Sequence, residues 1–155
     1  MQYPSHKRGG ILHGGAATLL RWYTVFIMQK KQKYFFTLGG LGVFIGGGNW
    51  MAINLDLYFL ISWLDSLMHT LSGVFIALVL LPFLPQSIRN TKVRYLLVLT
   101  FALLIGLWWE YVELKTGVTN LAKEGYLLDT TLDLFCDGAG ALVGAYFFRN
   151  TAVFA

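Results

Sequence analysis

Seven residues of this 155-residue sequence have side chains that do chemistry and spacings that group them. Asp65 and His69 stand four apart, Glu110 and Glu113 three apart, and Asp129, Asp133 and Asp137 follow at i, i+4 and i+8. On helices each group shares one face, and the last three draw a carboxylate stripe about two turns deep. Carboxylates with a neutral imidazole suit a divalent cation such as magnesium, manganese, zinc or iron, without choosing among them. Its candidate ligands are His69, Glu110, Asp133, Asp137 and Asp65. Metal-assisted hydrolysis or transfer would then place Glu113, as general base, and Asp129 as the candidate catalytic residues.

Two other resolutions of so many acids stay open. Some could carry a proton and serve general acid catalysis or a proton relay. Alternatively, they could be structural, with Asp65 and Asp129 at the positive ends of their helices and others bonded to Trp, Tyr, Lys115 or Lys123. No nucleophile is evident, and GxSxG, HExxH and CxxC are all absent. The glycines at 46–48 are not followed by the GK[ST] of a phosphate loop. The single cysteine, Cys136, excludes an internal disulfide and reads as a small buried filler.

The elements that must position these groups are apolar helices. The sequence is 56% hydrophobic and only 13% charged, with a mean hydropathy of +0.59, more apolar surface than a soluble fold can use. Four stretches are long enough, or nearly so, to cross a hydrocarbon core, at 34–50, 65–84, 93–113 and 129–148. In the first, Gly39, Gly40, Gly42, Gly46, Gly47 and Gly48 would admit close neighbours and could unravel its far end, while in the fourth Gly140 and Gly144 form a small-xxx-small pair. Pro82 and Pro85 bracket the exit of the second.

Basic residues orient such a bundle, because loops rich in Lys and Arg stay in the cytoplasm. Lys7, Arg8, Arg21, Lys30, Lys31, Lys33, Arg89, Lys92, Arg94 and Arg149 share one side, ten of the twelve in the chain, and only Lys115 and Lys123 fall opposite. Four crossings with both termini cytoplasmic follow, and Trp50, Trp63, Trp108 and Trp109 then fall at the outer boundary. The net charge of +4 lies beside apolar segments and forms no groove, so nucleic acid is excluded as a partner and the lipid bilayer takes its place. Residues 11–28 read as an amphipathic helix on the inner surface, with Arg21 opposite its apolar face. Met28 is an alternative natural start. The expected fold class is thus all-α, a polytopic membrane bundle of about four transmembrane helices with an N-terminal interfacial helix. Its parts are a basic cytoplasmic tail (1–33), the transmembrane domain (34–149) and a short cytoplasmic tail (150–155).

The segments Asp65-Ser-Leu-Met-His69-Thr-Leu-Ser-Gly73, Trp109-Glu110-Tyr-Val-Glu113 and Gly125-Tyr126-Leu-Leu-Asp129-Thr130-Thr-Leu-Asp133-Leu-Phe-Cys-Asp137-Gly-Ala139-Gly-Ala141 together resemble the YjdF-like bacterial inner-membrane proteins. A fainter similarity is to VanZ-like membrane proteins, which are associated with glycopeptide resistance. The resemblance covers about half the chain and implies a fold, a shared site and the bacterial cytoplasmic membrane, but no reaction. The expected function is an outward-facing Asp/Glu/His pocket that binds a divalent cation and acts on or holds a lipid-linked envelope substrate. The alternative is a non-catalytic membrane factor, or a small transport or partner-binding subunit.

Overall fold

A computed structural model describes residues 12–148 of the chain apart from 86, 89 and 123. Lys7, Arg8, Arg89, Lys123 and Arg149, which enter the charge argument, lie outside the described residues, as do both chain ends. The described residues form helices and no strand: α1 (Leu12–Asn54), α2 (Leu57–Leu60), α3 (Leu64–Leu80) with a 3-10 turn at Leu81–Phe83, α4 (Thr91–Thr116) and α5 (Tyr126–Phe148). Four segments are long and apolar enough to span a membrane, Arg21–Asn54, Leu64–Phe83, Thr91–Thr116 and Tyr126–Phe148.

The ends of these helices have local causes. Asn90 caps α4 by accepting the Lys92 N–H at 2.9 Å, and Gly117, at φ 78°, closes the same helix in the left-handed conformation that glycine tolerates. Helix α3 gives way to the 3-10 turn at Pro82, as the prolines foretold. Helix α5 starts at Tyr126, one turn before Asp129, because Gly125 at φ 82° makes the turn and the Asp129 N–H already bonds the Gly125 carbonyl at 3.0 Å. At α3 the cap position falls to Trp63, whose side chain caps nothing, and Asp65 sits in the first turn.

Two expectations about the first 54 residues change. The helix expected over 11–28 is helical from Leu12 but runs into the first span without a break, because Gln29-Lys30-Lys31-Gln32-Lys33 are all good helix formers. The continuous α1 has 43 residues, about 65 Å at 1.5 Å per residue, twice the thickness of a hydrocarbon core. Nor does its glycine-rich end unravel. Lipid offers no partner to a freed N–H or C=O, so the helix persists to Asn54. Those glycines also make fewer close contacts than expected. A Cβ at Gly39, Gly40, Gly46 or Gly47 would meet nothing within 4 Å, whereas Gly42 faces the Phe75 ring and Gly48 the end of Met68.

Close backbone approach occurs instead between α3 and α5, the most extensive contact of the bundle. A Cβ on Gly73 would collide with the Asp137 carbonyl oxygen and stand 2.8 Å from the Ala141 nitrogen; one on Gly140 would collide with the Thr70 carbonyl. The small residues expected to pack α5 therefore do so, and both sides of the contact are glycine. Below it Ile76, Ala77, Val98, Ala102, Ala141 and Ala145 form the buried apolar core, with α4 as its third wall. Helix α1 leans on α3, where the buried Tyr34 hydroxyl donates to the Leu78 carbonyl. Trp50, Trp63 and Trp108 are exposed near one end of the bundle, as an interfacial belt requires.

Glycine at the α3–α5 crossing is thus a steric requirement, and along most of α1 it is not. Gly140→Ala should lower stability by about 1–3 kcal/mol, the usual cost of overpacking. Gly47→Ala should leave it unchanged or raise it by up to about 1 kcal/mol through helix propensity. Thermal unfolding of the two purified variants in one detergent measures the difference, and equal melting temperatures would contradict this account of the crossing.

Candidate functional site

Helical periodicity puts Asp65 and His69 on one face of α3, Glu110 on α4 and Asp133 and Asp137 on α5, and the glycine crossing brings the three faces together. His69, Glu110, Asp133 and Asp137 are 5%, 4%, 5% and 2% exposed, so four ionisable side chains are buried inside an apolar bundle. Asp65 is half-buried.

His69 is the hub. Its Nδ1 lies 3.1 Å from Asp137 Oδ2, a hydrogen bond between α3 and α5. Its Nε2 faces the other way, 3.8 Å from Asp65 Oδ1 and 4.0 Å from Glu110 Oε1. One ligand atom each from Asp65, His69 and Asp133 lie within 4.8 Å of one another. Metal–ligand bonds of about 2.0–2.6 Å allow two ligands of one ion to be at most about 5 Å apart, so these separations admit a shared ion. Glu110 Oε2 accepts the Thr130 hydroxyl at 2.7 Å, while Glu110 Oε1 is buried with no hydrogen-bond partner.

Of the seven expected residues, the structure gathers Asp65, His69, Glu110, Asp133 and Asp137. Glu113 and Asp129 lie one turn nearer their helix ends and are half-buried. Glu113 Oε1 accepts the Trp109 indole N–H at 2.7 Å. That turns Trp109 inward from the belt it was expected to join. Lys115 sits with its ammonium 5.5 Å from the centre of the Tyr111 ring.

Several residues at the site carry no signal in isolation. Thr130 is legible only as the residue one turn before Asp133 on the acidic stripe. Gly106 reads as one more small residue, yet a Cβ there would strike the Asp137 carboxylate and lie 3.1 Å from Leu134. Beside His69 and Asp137 opens a cavity of about 110 Å³, whose walls include Asn49 at the end of α1 and Tyr58 of α2. The Tyr58 hydroxyl donates to Asn49 Oδ1, tying α2 to α1 across the cavity. Among the described residues no lysine or arginine lines it.

A family model described as "Predicted membrane protein (DUF2238)" matches residues 8–152, nearly the whole chain. YjdF-like proteins are that family, so the match agrees with the resemblance carried by the three motifs, and it lends nothing to VanZ-like kinship. No curated protein and no solved structure matches the chain.

The surroundings of Tyr58 set a pH dependence. Burial first, and then the charges of Asp65 and Glu113, push its phenol well above the ordinary value of 10.0. In the unfolded chain that phenol ionises near its ordinary value, so its contribution to stability is present below pH about 10 and is lost as pH rises beyond it. Asp65→Asn should bring Tyr58 ionisation down toward the ordinary value. NMR titration of ring-labelled tyrosine, assigned with Tyr58→Phe, checks the shift; no difference between wild type and Asp65→Asn would remove Asp65 as a cause.

Proposed function

We propose that this chain, which belongs to the DUF2238 family of membrane proteins, holds a divalent cation between α3, α4 and α5. The observation that carries this reading is Glu110 Oε1, a carboxylate oxygen buried without a hydrogen-bond partner and turned toward the free edge of His69. Leaving such a group unsatisfied costs about 1–3 kcal/mol or more, and the Asp65 oxygen faces the same imidazole nitrogen. A cation there would satisfy the Glu110 oxygen.

In this assignment His69 Nε2 and oxygens of Asp65, Asp133 and Glu110 are the ligands. Asp137 acts through the ring: by accepting the Nδ1 proton it fixes the tautomer that leaves Nε2 free to coordinate, as carboxylates behind metal-bound histidines commonly do. Thr130 holds the other Glu110 oxygen and so aims Oε1 inward. One nitrogen among carboxylates favours manganese, iron or zinc over calcium, which prefers six to eight oxygens. Proton transfer at such an ion falls to Glu113 and Asp129 at the rim.

The competing reading is a protonated His69 that neutralises the acids in a non-catalytic membrane factor. The 3.1 Å contact with Asp137 suits an imidazolium equally well. The separations on the Nε2 side, 3.8 and 4.0 Å, are beyond hydrogen-bond reach and favour an atom in between.

We further propose that the polar end faces outward across a bacterial cytoplasmic membrane with both chain ends cytoplasmic, on the strength of the ten-to-two distribution of basic residues.

Elemental analysis of the detergent-purified protein should find one divalent ion per chain, lost in both His69→Ala and Asp133→Asn. At a hundredfold excess over its dissociation constant, added metal should stabilise wild type by about 2.7 kcal/mol. Well-folded wild type with neither bound metal nor a metal-dependent shift in unfolding would favour the protonated histidine. For orientation, single cysteines placed in a Cys136→Ser background should react differently with a membrane-impermeant maleimide. Asn120→Cys should label in intact cells and Asn90→Cys only after permeabilisation; the reverse pattern would invert the topology.

A further inference from the structure

The cavity of about 110 Å³ shares Asp65 and His69 with the proposed ion site but is lined by neither Glu110 nor Asp133, so it has a chemistry of its own. Its titratable walls are Asp65, Asp137, His69 and Tyr58, and among the described residues no lysine or arginine joins them. With His69 neutral, two carboxylates leave the walls doubly negative. With His69 protonated, the Asp137–His69 pair balances itself and the Asp65 carboxylate still leaves one negative charge. In either state the walls favour a positive group.

Aromatic rings stand beside the acids. The Tyr58 hydroxyl is tied to Asn49 and the Trp109 indole N–H to Glu113 at 2.7 Å, so both rings are held in the wall by bonds that need no ligand. Rings next to carboxylates suit a substituted ammonium, which the ring quadrupole attracts most strongly where water is excluded. Much of the remaining wall is apolar, with Ile45 on α1, Ile76 on α3 and Ile105 on α4. A small hydrated cation would lose water against these side chains and gain no bond from them, whereas an alkyl or aryl body would bury its own surface on them. Of the two acids, Asp65 is the accessible one. Asp137 is 2% exposed and its Oδ2 is already on His69, while Asp65 is half-buried.

We infer that the cavity binds an organic ammonium, its nitrogen at Asp65 and the rings of Tyr58 and Trp109, and its apolar body on Ile45, Ile76 and Ile105. The inference goes beyond the metal reading and stands without it.

The test is equilibrium dialysis of radiolabelled hexylamine, which is protonated at neutral pH as a lysine side chain is, against the full chain in detergent. EDTA in the buffer keeps divalent ions from competing for Asp65, and excess unlabelled hexylamine separates binding at the site from uptake by the micelle. One displaceable hexylammonium per chain is expected. Neither 1-hexanol nor hexanoate, which keep the chain without the positive charge, should displace it, and methylammonium should need at least about tenfold more than hexylammonium does. Asp65→Asn should weaken binding at least about tenfold, the usual loss when a charged hydrogen-bond partner is removed. Ile105→Trp, which alters no acid, should abolish it by filling the apolar part. Each variant is compared with wild type at equal helicity and equal elution volume. No displaceable hexylammonium on folded wild type would overturn the inference. Displacement by 1-hexanol as effective as by hexylammonium, or full affinity in Asp65→Asn, would overturn recognition of the charge. Equal displacement by methylammonium, or full affinity in Ile105→Trp, would overturn the role of the isoleucine walls.

Discussion

Gly73 of α3 and the Asp137 carbonyl of α5 lie so close that no Cβ can stand between them, and Gly140 meets Thr70 in the same way. This double contact sets the distance and the register of the two helices. With register fixed, His69, one turn from Gly73, must fall beside the Asp137 side chain, and the stripe that begins at Asp129 must point at α3 and α4 instead of lipid. Gly106 extends the constraint to α4, where any larger residue would displace the Asp137 carboxylate from the histidine. The polar centre is therefore a consequence of where side chains are missing.

Within that frame the electrostatics are demanding. Four buried ionisable groups on three helices cannot all be charged in a low-dielectric interior without compensation. Part of it is visible in the Asp137–His69 and Thr130–Glu110 bonds, which tie α5 to α3 and to α4. Those bonds leave one Glu110 oxygen without a hydrogen-bond partner, beside the Nε2 edge of His69 and the carboxylates of Asp65 and Asp133. These atoms all belong to the three helices whose register the glycines fix. Held on packed helices, these atoms keep their separations from relaxing, as the proposed ion site requires.

How much of this the sequence discloses depends on whether a feature is local or relational. The spans and the pairing of Asp65 with His69 and of Asp133 with Asp137 follow from helical period and hydropathy, both local, so they are legible in advance. Which ring nitrogen of His69 meets which carboxylate depends on the α3–α5 register, and no spacing within one helix encodes it. Asp137 therefore reads as one more candidate ligand in the sequence, and the structure places its Oδ2 on His69 Nδ1. The glycines mislead in one place for the same reason. The six glycines at 39–48 of α1 and Gly73, Gly140 and Gly144 at the α3–α5 crossing look alike as composition, and only the neighbouring backbone tells those that admit a partner from those that meet nothing within 4 Å among the described residues. The role of Tyr58 was hidden because a four-residue helix between two spans has too little length for any periodic signal.

The bundle then divides into two parts with different duties. Helices α3, α4 and α5 share the buried core and carry every proposed ligand of the ion. Helices α1 and α2 carry none, yet Ile45, Asn49 and Tyr58 form one wall of the cavity. They join at Asp56, whose left-handed backbone (φ 53°, ψ 30°) is a conformation that aspartate, with a short side chain, adopts at modest cost. Helix α1 is anchored mainly along α3 and shares no extensive contact with α4. Residues of α5 thus contribute to the proposed ligand set, while residues of α1 form the cavity wall beside it.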